Sequence, residues 1–473
     1  MTLKIGDKAP SFVAVDANGI PFHSKDFIGK KPVVIYFYPK DNTPGCTMQA
    51  CGFRDSYEDF IDLGAEVIGV SSDTVNSHKK FTNQYKLPFI LLSDSDKKIR
   101  KLFGVPDKLF GLLPGRVTYI INKAGVITMI FDSVMATKHI AVALESLKKT
   151  AMKFDIYPLQ FDPILKDRIW GGEKLNSVLN KPITSKSTGE SWEISTVEGD
   201  VSVISKGTLK GISLNEVIDT FPKEVLGTTV FDKFGKQFPL LFKYLDAKTD
   251  LSIQVHPNDE LAKKRHNSFG KTEMWYIMQA DEDSRIIVGF KNNSNASEYV
   301  AHLENNTLLD LLEQVKVKTG DVFFLETGTV HAIGAGLLVA EIQQTSDITY
   351  RLYDFDRVDS EGNKRELHVD LALDAINYNK VETQKKYNKA ENVSNEMVNC
   401  PYFTTNYLKI SGELNISKSN SSFTVYMCTE GEIQLEYNQV QYHYSKGDTV
   451  LIPATMTDFS LIGNATLLEI YIS

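Results

Sequence analysis

The sequence predicts a multidomain protein: an open α/β sheet with helices on both faces, followed by a mainly β region carrying helical inserts. Three observations predict it. The chain has 473 residues, well beyond the roughly 250–300 at which single hydrophobic cores stop growing. From Pro32 to about Thr150, short β-branched runs alternate with amphipathic stretches, the order of a sheet covered by helices. After Met152 the runs become short, β-rich and bounded by turn signals, which reads as a sandwich or barrel.

The elements follow in order. VVIYFY is a strand, and a helix runs through Cys51 to Phe60. EVIGVSS, PFILLSD, RVTYIIN and VITMIF are further strands, with helices at Val75–Tyr85, near Lys97–Phe103 and at Lys138–Lys149. Beyond Met152 the β texture is interrupted by helical inserts at Glu298–Gln314 and Leu367–Asn377. MKFDIYPLQFDPIL, from Met152, has the character of an independent start, so the division is expected there. The expected domains are 1–150, 152–390 and 391–473.

Composition bounds the function. The chain is 42% hydrophobic and 24% charged, with net charge −8, which gives no general attraction to nucleic acid or anionic membrane. No run approaches the roughly 20 apolar residues of a membrane span, and the first residues lack the plan of a secretory signal. The expected location is cytoplasmic, with neither nucleic acid nor membrane as partner. Four cysteines in so long a chain make no stapling framework, so Cys46 and Cys51 read as reactive. Cys400 and Cys428 read as buried small hydrophobes.

Two chemistries are written into the chain. Cys46 follows a strand and the turn residues Pro44 and Gly45, and opens a helical run. Unpaired N–H groups and the helix dipole stabilise a thiolate at such a place. Thr43 is placed to bond the sulfur or a bound peroxide, and Arg116 is the candidate cationic partner. Cys51 lies five residues further on. In an intact helix that spacing separates the Cα atoms by about 8 to 9 Å, beyond the roughly 7 Å a disulfide tolerates. Bond formation therefore requires the first turns to unwind.

Through FYPKDNTPGCTMQACGFRD, LPFILLSDSDKKIRKLFGV and GRVTYIINKAGVI, residues 1–150 resemble the peroxiredoxins of the Q or bacterioferritin-comigratory type. The resemblance implies a thioredoxin-like fold, Cys46 as peroxidatic and Cys51 as resolving cysteine, and Pro39, Thr43 and Arg116 at the remaining active-site positions. It also implies peroxide as substrate, a thioredoxin-like reductant and no cofactor.

The second chemistry is a metal site. Gln254 and His256 in QVHPND leave the same face of a strand. Glu273 in KTEMW and His331 in GTVHAIG complete a set of N and O donors that suits zinc with a position open to substrate. Gly320, Glu326, Gly328 and His331 follow the spacing of the second cupin motif, with Glu326 in the place of its proline. The spacing recurs at Gly447 and Pro453, where Thr455 and Asp458 replace the glycine and histidine. A second, metal-free cupin lobe is expected there.

Residues 152–473 resemble the type I mannose-6-phosphate isomerases of the short bacterial form, through FDPILKDRIWGG, GESWEIS, QVHPND, GKTEMWYIM, GTVHAIGAGLLVAEIQQTSDITYRLYDFDR and RELHVD. The resemblance implies a double-lobed cupin fold and one zinc per chain, held by His256, Glu273 and His331 with Gln254 as fourth ligand. It also implies Arg351 as catalytic arginine and a sugar phosphate as substrate. Lys243 and Lys271 are candidate phosphate or sugar contacts, with solvated surface lysines as the other reading. Trp170 and Trp192 line the pocket or pack in the core. The sequence leaves the general base open. Alternative readings are a sugar-phosphate sensor or isomerase of another phosphosugar, with the thioredoxin-like domain as a redox switch.

Overall fold

The computed structural model describes residues 3–108, 113–151, 156–358 and 362–473, in two compact units, Met1–Lys153 and Phe154–Ser473. None of the described helices is long and apolar enough to cross a membrane.

The first unit is built on a seven-stranded sheet. Val33–Phe37, Glu66–Ser71 and Ile90–Ser93 run parallel at its centre. Val117–Ile121 and Ile127–Asp132 continue it antiparallel on one side, and Val13–Asp16 with Pro21–His23 on the other. Side chains alternate across a strand, and in Val33–Phe37 both faces are buried. Val34 and Tyr36 pack with Phe53, Ile140 and Leu147, whereas Val33, Ile35 and Phe37 pack with Ile99 and Phe103. The helix expected through Phe60 is two helices, Pro44–Asp55 and Tyr57–Asp62. The break falls at Ser56, with ψ 12°, a residue type whose hydroxyl competes with the backbone ladder.

The second unit sets a seven-stranded sheet against a five-stranded one. Leu240–Ala247, Leu337–Gln344 and Glu273–Ala280 are adjacent in the larger sheet. Arg285–Phe290, His331–Ile333, Ile253–Val255 and Tyr350–Tyr353 follow one another in the smaller. Leu245, Trp275 and Val339 of one sheet share a core with Ile286, Val288 and Ile333 of the other. The expected helix at Glu298–Gln314 is Ala296–Glu304, then Leu308–Leu311, then a strand Leu312–Lys316. Asn306, at φ 55°, ends the first helix in the left-handed region. The insert expected at Leu367–Asn377 is helical only over Val369–Leu373. Three short helices, Leu214–Thr220, Pro222–Leu226 and Thr228–Phe234, were not read from the sequence, although Ser213 and Glu216 form a capping box at the first.

The C-terminal six-stranded sheet carries three 14-residue strands, Thr404–Ser417, Thr424–Tyr437 and Asp458–Tyr471. Gly412 and Gly463 stand opposite each other with φ of 85° and 143°, so both strands kink together. A Cβ at Gly463 would meet the Glu432 carbonyl oxygen at 2.6 Å.

Candidate active sites

The thiol site lies at the start of the helix Pro44–Asp55. Thr43 is its N-cap residue and Pro44 sits in its first turn, where a missing N–H costs nothing. Cys46 is buried, Cys51 is partly exposed, and both are free thiols. Arg116, buried beside the adjoining strand, donates through Nη2 to Cys46 Sγ at 3.3 Å and through Nη1 to Gln49 Oε1. The Gln49 amide nitrogen is buried without a partner among the described residues. Thr43 differs from expectation: its hydroxyl donates to the Lys40 carbonyl at 3.0 Å, not to the sulfur. Pro39 is partly exposed in the same loop. The structure thus brings Cys46 and Arg116 together, with Thr43 adjacent in the chain and Cys51 within the same helix.

In the second unit, pairing across strands assembles the site. Gln254 lies opposite His331 on one side and Arg351 on the other, so the three side chains form a row on one face. The larger sheet supplies a facing row, Trp192, Lys243, Glu341 and Trp275, together with Glu273, which stands two residues before Trp275. His256, Glu273 and His331 are all buried, with one potential ligand atom of each within 4.8 Å of the others.

Hydrogen bonds to backbone carbonyls aim the two imidazoles inward. His256 Nδ1 donates to the Ile348 carbonyl and His331 Nδ1 to the Thr329 carbonyl, both at 2.8 Å, leaving each Nε2 lone pair toward Glu273. Nε2 of His256 is 3.5 Å from Glu273 Oε2, and that of His331 is 3.3 Å from Oε1. Glu273 Oε1 is buried and lacks a hydrogen-bond partner among the described residues. Burial, with the Lys271 charge and His331 adding, holds His256 well below the usual imidazole pKa, and burial lowers His331 too. Neutral imidazoles, a carboxylate and an orphaned buried oxygen make a donor set that fits a divalent metal. The Gln254 amide is 3.3 Å from His331 Nε2, at the edge of this set. Lys271 Nζ donates to Glu273 Oε2 at 2.6 Å and is 3.0 Å from His256 Nε2, so it competes for the same donors.

A cavity of about 580 Å³ adjoins the cluster, lined among others by Gln254, Lys271, Lys243, Glu341, Arg351, Trp170 and Trp192. Lys243 and Lys271 are both buried, which removes the surface reading. Lys243 pairs with Glu341 Oε1 at 3.1 Å and lies over the Trp192 ring at 5.0 Å, while Trp275 Nε1 donates to Glu341 Oε2 at 3.0 Å. Lys166, Arg168 and Arg365 also line the cavity and pair with Asp200, Glu190 and Asp354 respectively. Arg351 differs from them. Among the described residues its side chain has one hydrogen bond, from Nη1 to the Glu366 carbonyl at 2.9 Å, and its buried Nε has none. Burial and the neighbouring Arg365 and Arg357 lower its pKa, so this site favours an incoming anion. Glu341, Glu190, Lys166, Arg168 and Arg365 were missed as individual residues, although GESWEIS, AEIQQ, LKDRIW and RELHVD contain them.

In the C-terminal lobe, Thr455 bonds the Glu224 carbonyl at 3.1 Å and exposed Asp458 accepts from Ser417 and Thr457. Cys428 is buried, its thiol pushed up to about 12 by burial. Cys400 is only partly buried and its Sγ faces the Phe403 carbonyl at 3.3 Å.

Three family models match the chain: the AhpC/TSA family over residues 5–130, the catalytic domain of type I phosphomannose isomerase over 159–291, and the mannose-6-phosphate isomerase cupin domain over 394–472. Mannose-6-phosphate isomerase ManA of Bacillus subtilis is 38% identical over 312 residues, 65% of this chain and 96% of the relative. Chloroplastic peroxiredoxin Q of Sedum lineare is 52% identical over 144 residues, 30% of this chain and 77% of the relative. The crystal structure of the mannose 6-phosphate isomerase from Bacillus subtilis superposes with a TM-score of 0.62 at 36% identity, covering 67% of this chain and 99% of that one.

Proposed function

We propose that this chain, which belongs to the peroxiredoxin Q family through its N-terminal unit and to the type I mannose-6-phosphate isomerases through the rest, reduces peroxides and interconverts mannose 6-phosphate with fructose 6-phosphate.

In the N-terminal unit, Cys46 attacks the distal peroxide oxygen as thiolate, giving a sulfenic acid and releasing water or an alcohol. Arg116, 3.3 Å from Sγ, supplies the positive charge at the sulfur and the departing oxygen. The Cys51 thiol then condenses with the sulfenic acid, releasing water and forming a disulfide, which a thioredoxin-like dithiol reduces. Cys46 and Cys51 occupy one continuous helix, so the condensation passes through local unwinding. Pro39 and Thr43 shape the peroxide pocket on this reading.

In the isomerase, a proton moves between C1 and C2 while negative charge develops on the two sugar oxygens. Zinc bound by His256, Glu273 and His331, with Gln254 at the edge, would supply Lewis acidity there. Arg351 projects from the same face as Gln254 and His331, has no carboxylate partner among the described residues, and meets the developing enediolate. Lys271 and Lys243 hold the sugar oxygens or the phosphate. Burial raises the Glu341 pKa but the charges of Lys243 and Lys271 outweigh it, so Glu341 orients Lys243 and Trp275 as a carboxylate. The reading rests above all on the inward-aimed His256–Glu273–His331 cluster beside a cavity lined by Arg351, which has no carboxylate partner among the described residues. The four free thiols suit a reducing cytoplasm.

Metal analysis with mannose 6-phosphate turnover tests the isomerase reading. The expected result is about one zinc per chain, activity lost on chelation and regained with zinc. A loaded site without turnover on this sugar would transfer the site to another phosphosugar or to a sensor.

A further inference from the structure

We infer that Asp41 and His78 anchor the loop before Cys46 and are positioning residues for its reaction with peroxide, an inference that rests on the peroxidase reading of this unit.

Residues 38–43 join the strand Val33–Phe37 to the helix Pro44–Asp55. Asp41, in the middle of this loop, is only 5% exposed. Its carboxylate accepts from the Ser77 hydroxyl at 2.7 Å, from the Tyr38 hydroxyl at 2.8 Å and from His78 Nδ1 at 3.0 Å. Its backbone N–H donates to Asp73 Oδ2 at 2.9 Å. His78 is 0% exposed on the helix Val75–Tyr85, and Nδ1 must carry the proton it donates to the carboxylate.

A buried carboxylate is costly unless fully bonded, and an apolar side chain would fill the same volume without that cost. What the polar cluster adds is direction. Ser77 and His78 bond the carboxylate from the helix Val75–Tyr85, His78 Nδ1 lying 3.2 and 3.0 Å from its two oxygens, and Tyr38 bonds it from the start of the loop, so the loop is pinned to that helix. The consequence passes through two residues, Asn42 and Thr43, into the helix whose first turn holds Cys46. Asn42 takes φ 55°, and the Thr43 carbonyl accepts from Thr47 N–H at 2.9 Å, closing the first turn around Cys46. The anchor also lies outside the segment 46–51 that must unwind, so it stays in place while Cys46 turns toward Cys51.

The test uses the full chain with His78→Leu and His78→Asn, the latter keeping a donor where Nδ1 stands. Three quantities are measured: the rate of Cys46 oxidation by hydrogen peroxide, its alkylation by iodoacetamide, and amide hydrogen exchange of residues 40–43, between Pro39 and Pro44. For His78→Leu the expected result is a fall in the peroxide rate of about tenfold or more, because aligned attack is lost. Alkylation, which needs only the sulfur, changes less than about twofold, exchange of the loop accelerates, and His78→Asn recovers most of the peroxide rate. A peroxide rate in His78→Leu within about twofold of wild type, or an equal fall with both reagents, overturns the inference. If the wild-type chain does not react with peroxide, the peroxidase reading fails by itself, and unchanged loop exchange in His78→Leu then refutes the anchor as well. A far-ultraviolet circular dichroism spectrum matching wild type confirms that the N-terminal unit is still folded.

Discussion

Replacing Glu341 by Gln tests the floor of the isomerase cavity. Glu341 is 3% exposed, and it holds Lys243, 6% exposed, at 3.1 Å and the Trp275 indole at 3.0 Å. Burial alone would raise its pKa, yet the two lysines bring it from 4.5 to about 2. At about 1.4 kcal/mol per unit, this difference corresponds to about 3 kcal/mol as an upper bound. A depressed carboxylate contributes stability above its unfolded pKa, and that contribution is lost as pH falls through the folded value, so the full effect is present at pH 7. Gln keeps one neutral acceptor, and the expected cost is about 2 to 3 kcal/mol. The three tryptophans of the chain are Trp170, Trp192 and Trp275, and all line this cavity or bond Glu341. Urea unfolding followed by tryptophan fluorescence therefore reports this unit alone, and the midpoint should fall by roughly 1 M. In a double-mutant cycle with Lys243→Met, the coupling should be about 2 kcal/mol. Single effects that add to within about 0.5 kcal/mol would refute the pairing as the source of the stability.

Arg116→Met should slow Cys46 oxidation by about 10- to 100-fold, the worth of one charged hydrogen bond, in a stopped assay of remaining thiol. Arg351→Ala should lower kcat for mannose 6-phosphate by about 100-fold or more while metal content stays at the wild-type level; equal activity would remove Arg351 from the chemistry. Lys418 tests the C-terminal lobe through pH. Burial, opposed by Glu469, depresses its ammonium to about 8, and it donates to the Ser422 carbonyl at 2.9 Å. The unfolded chain then binds more protons between that value and 10.5, so stability should rise over this window. Lys418→Met should flatten that rise in melting curves taken from pH 7 to 10.

The thiol site was legible because it is local: a strand, a Pro-Gly turn and a helix start fall within about a dozen contiguous residues, and each leaves its own punctuation. Arg116 and the His256, Glu273 and His331 cluster were legible through their strings, but the contacts that aim them were not. Gln49 beneath Arg116, and Asp41 on His78, come together only through the packing of separate helices on the sheet. Glu341, and its pairing with the candidate Lys243, were hidden for another reason. Leu337–Gln344 and Leu240–Ala247 are buried along their whole length, so neither strand shows the polar-apolar alternation that marks a facing row. The thiol–Thr43 bond was expected from proximity in sequence, whereas the loop turns that hydroxyl back onto Lys40.

The central claim is that one chain carries two separate active sites. It is tested most directly by measuring peroxide consumption with an added dithiol reductant and mannose 6-phosphate isomerisation on wild type, Cys46→Ser and His331→Ala. The expected result is that Cys46→Ser loses the first activity and keeps the second, and that His331→Ala does the reverse. Wild type lacking either activity, or one substitution abolishing both, would contradict it.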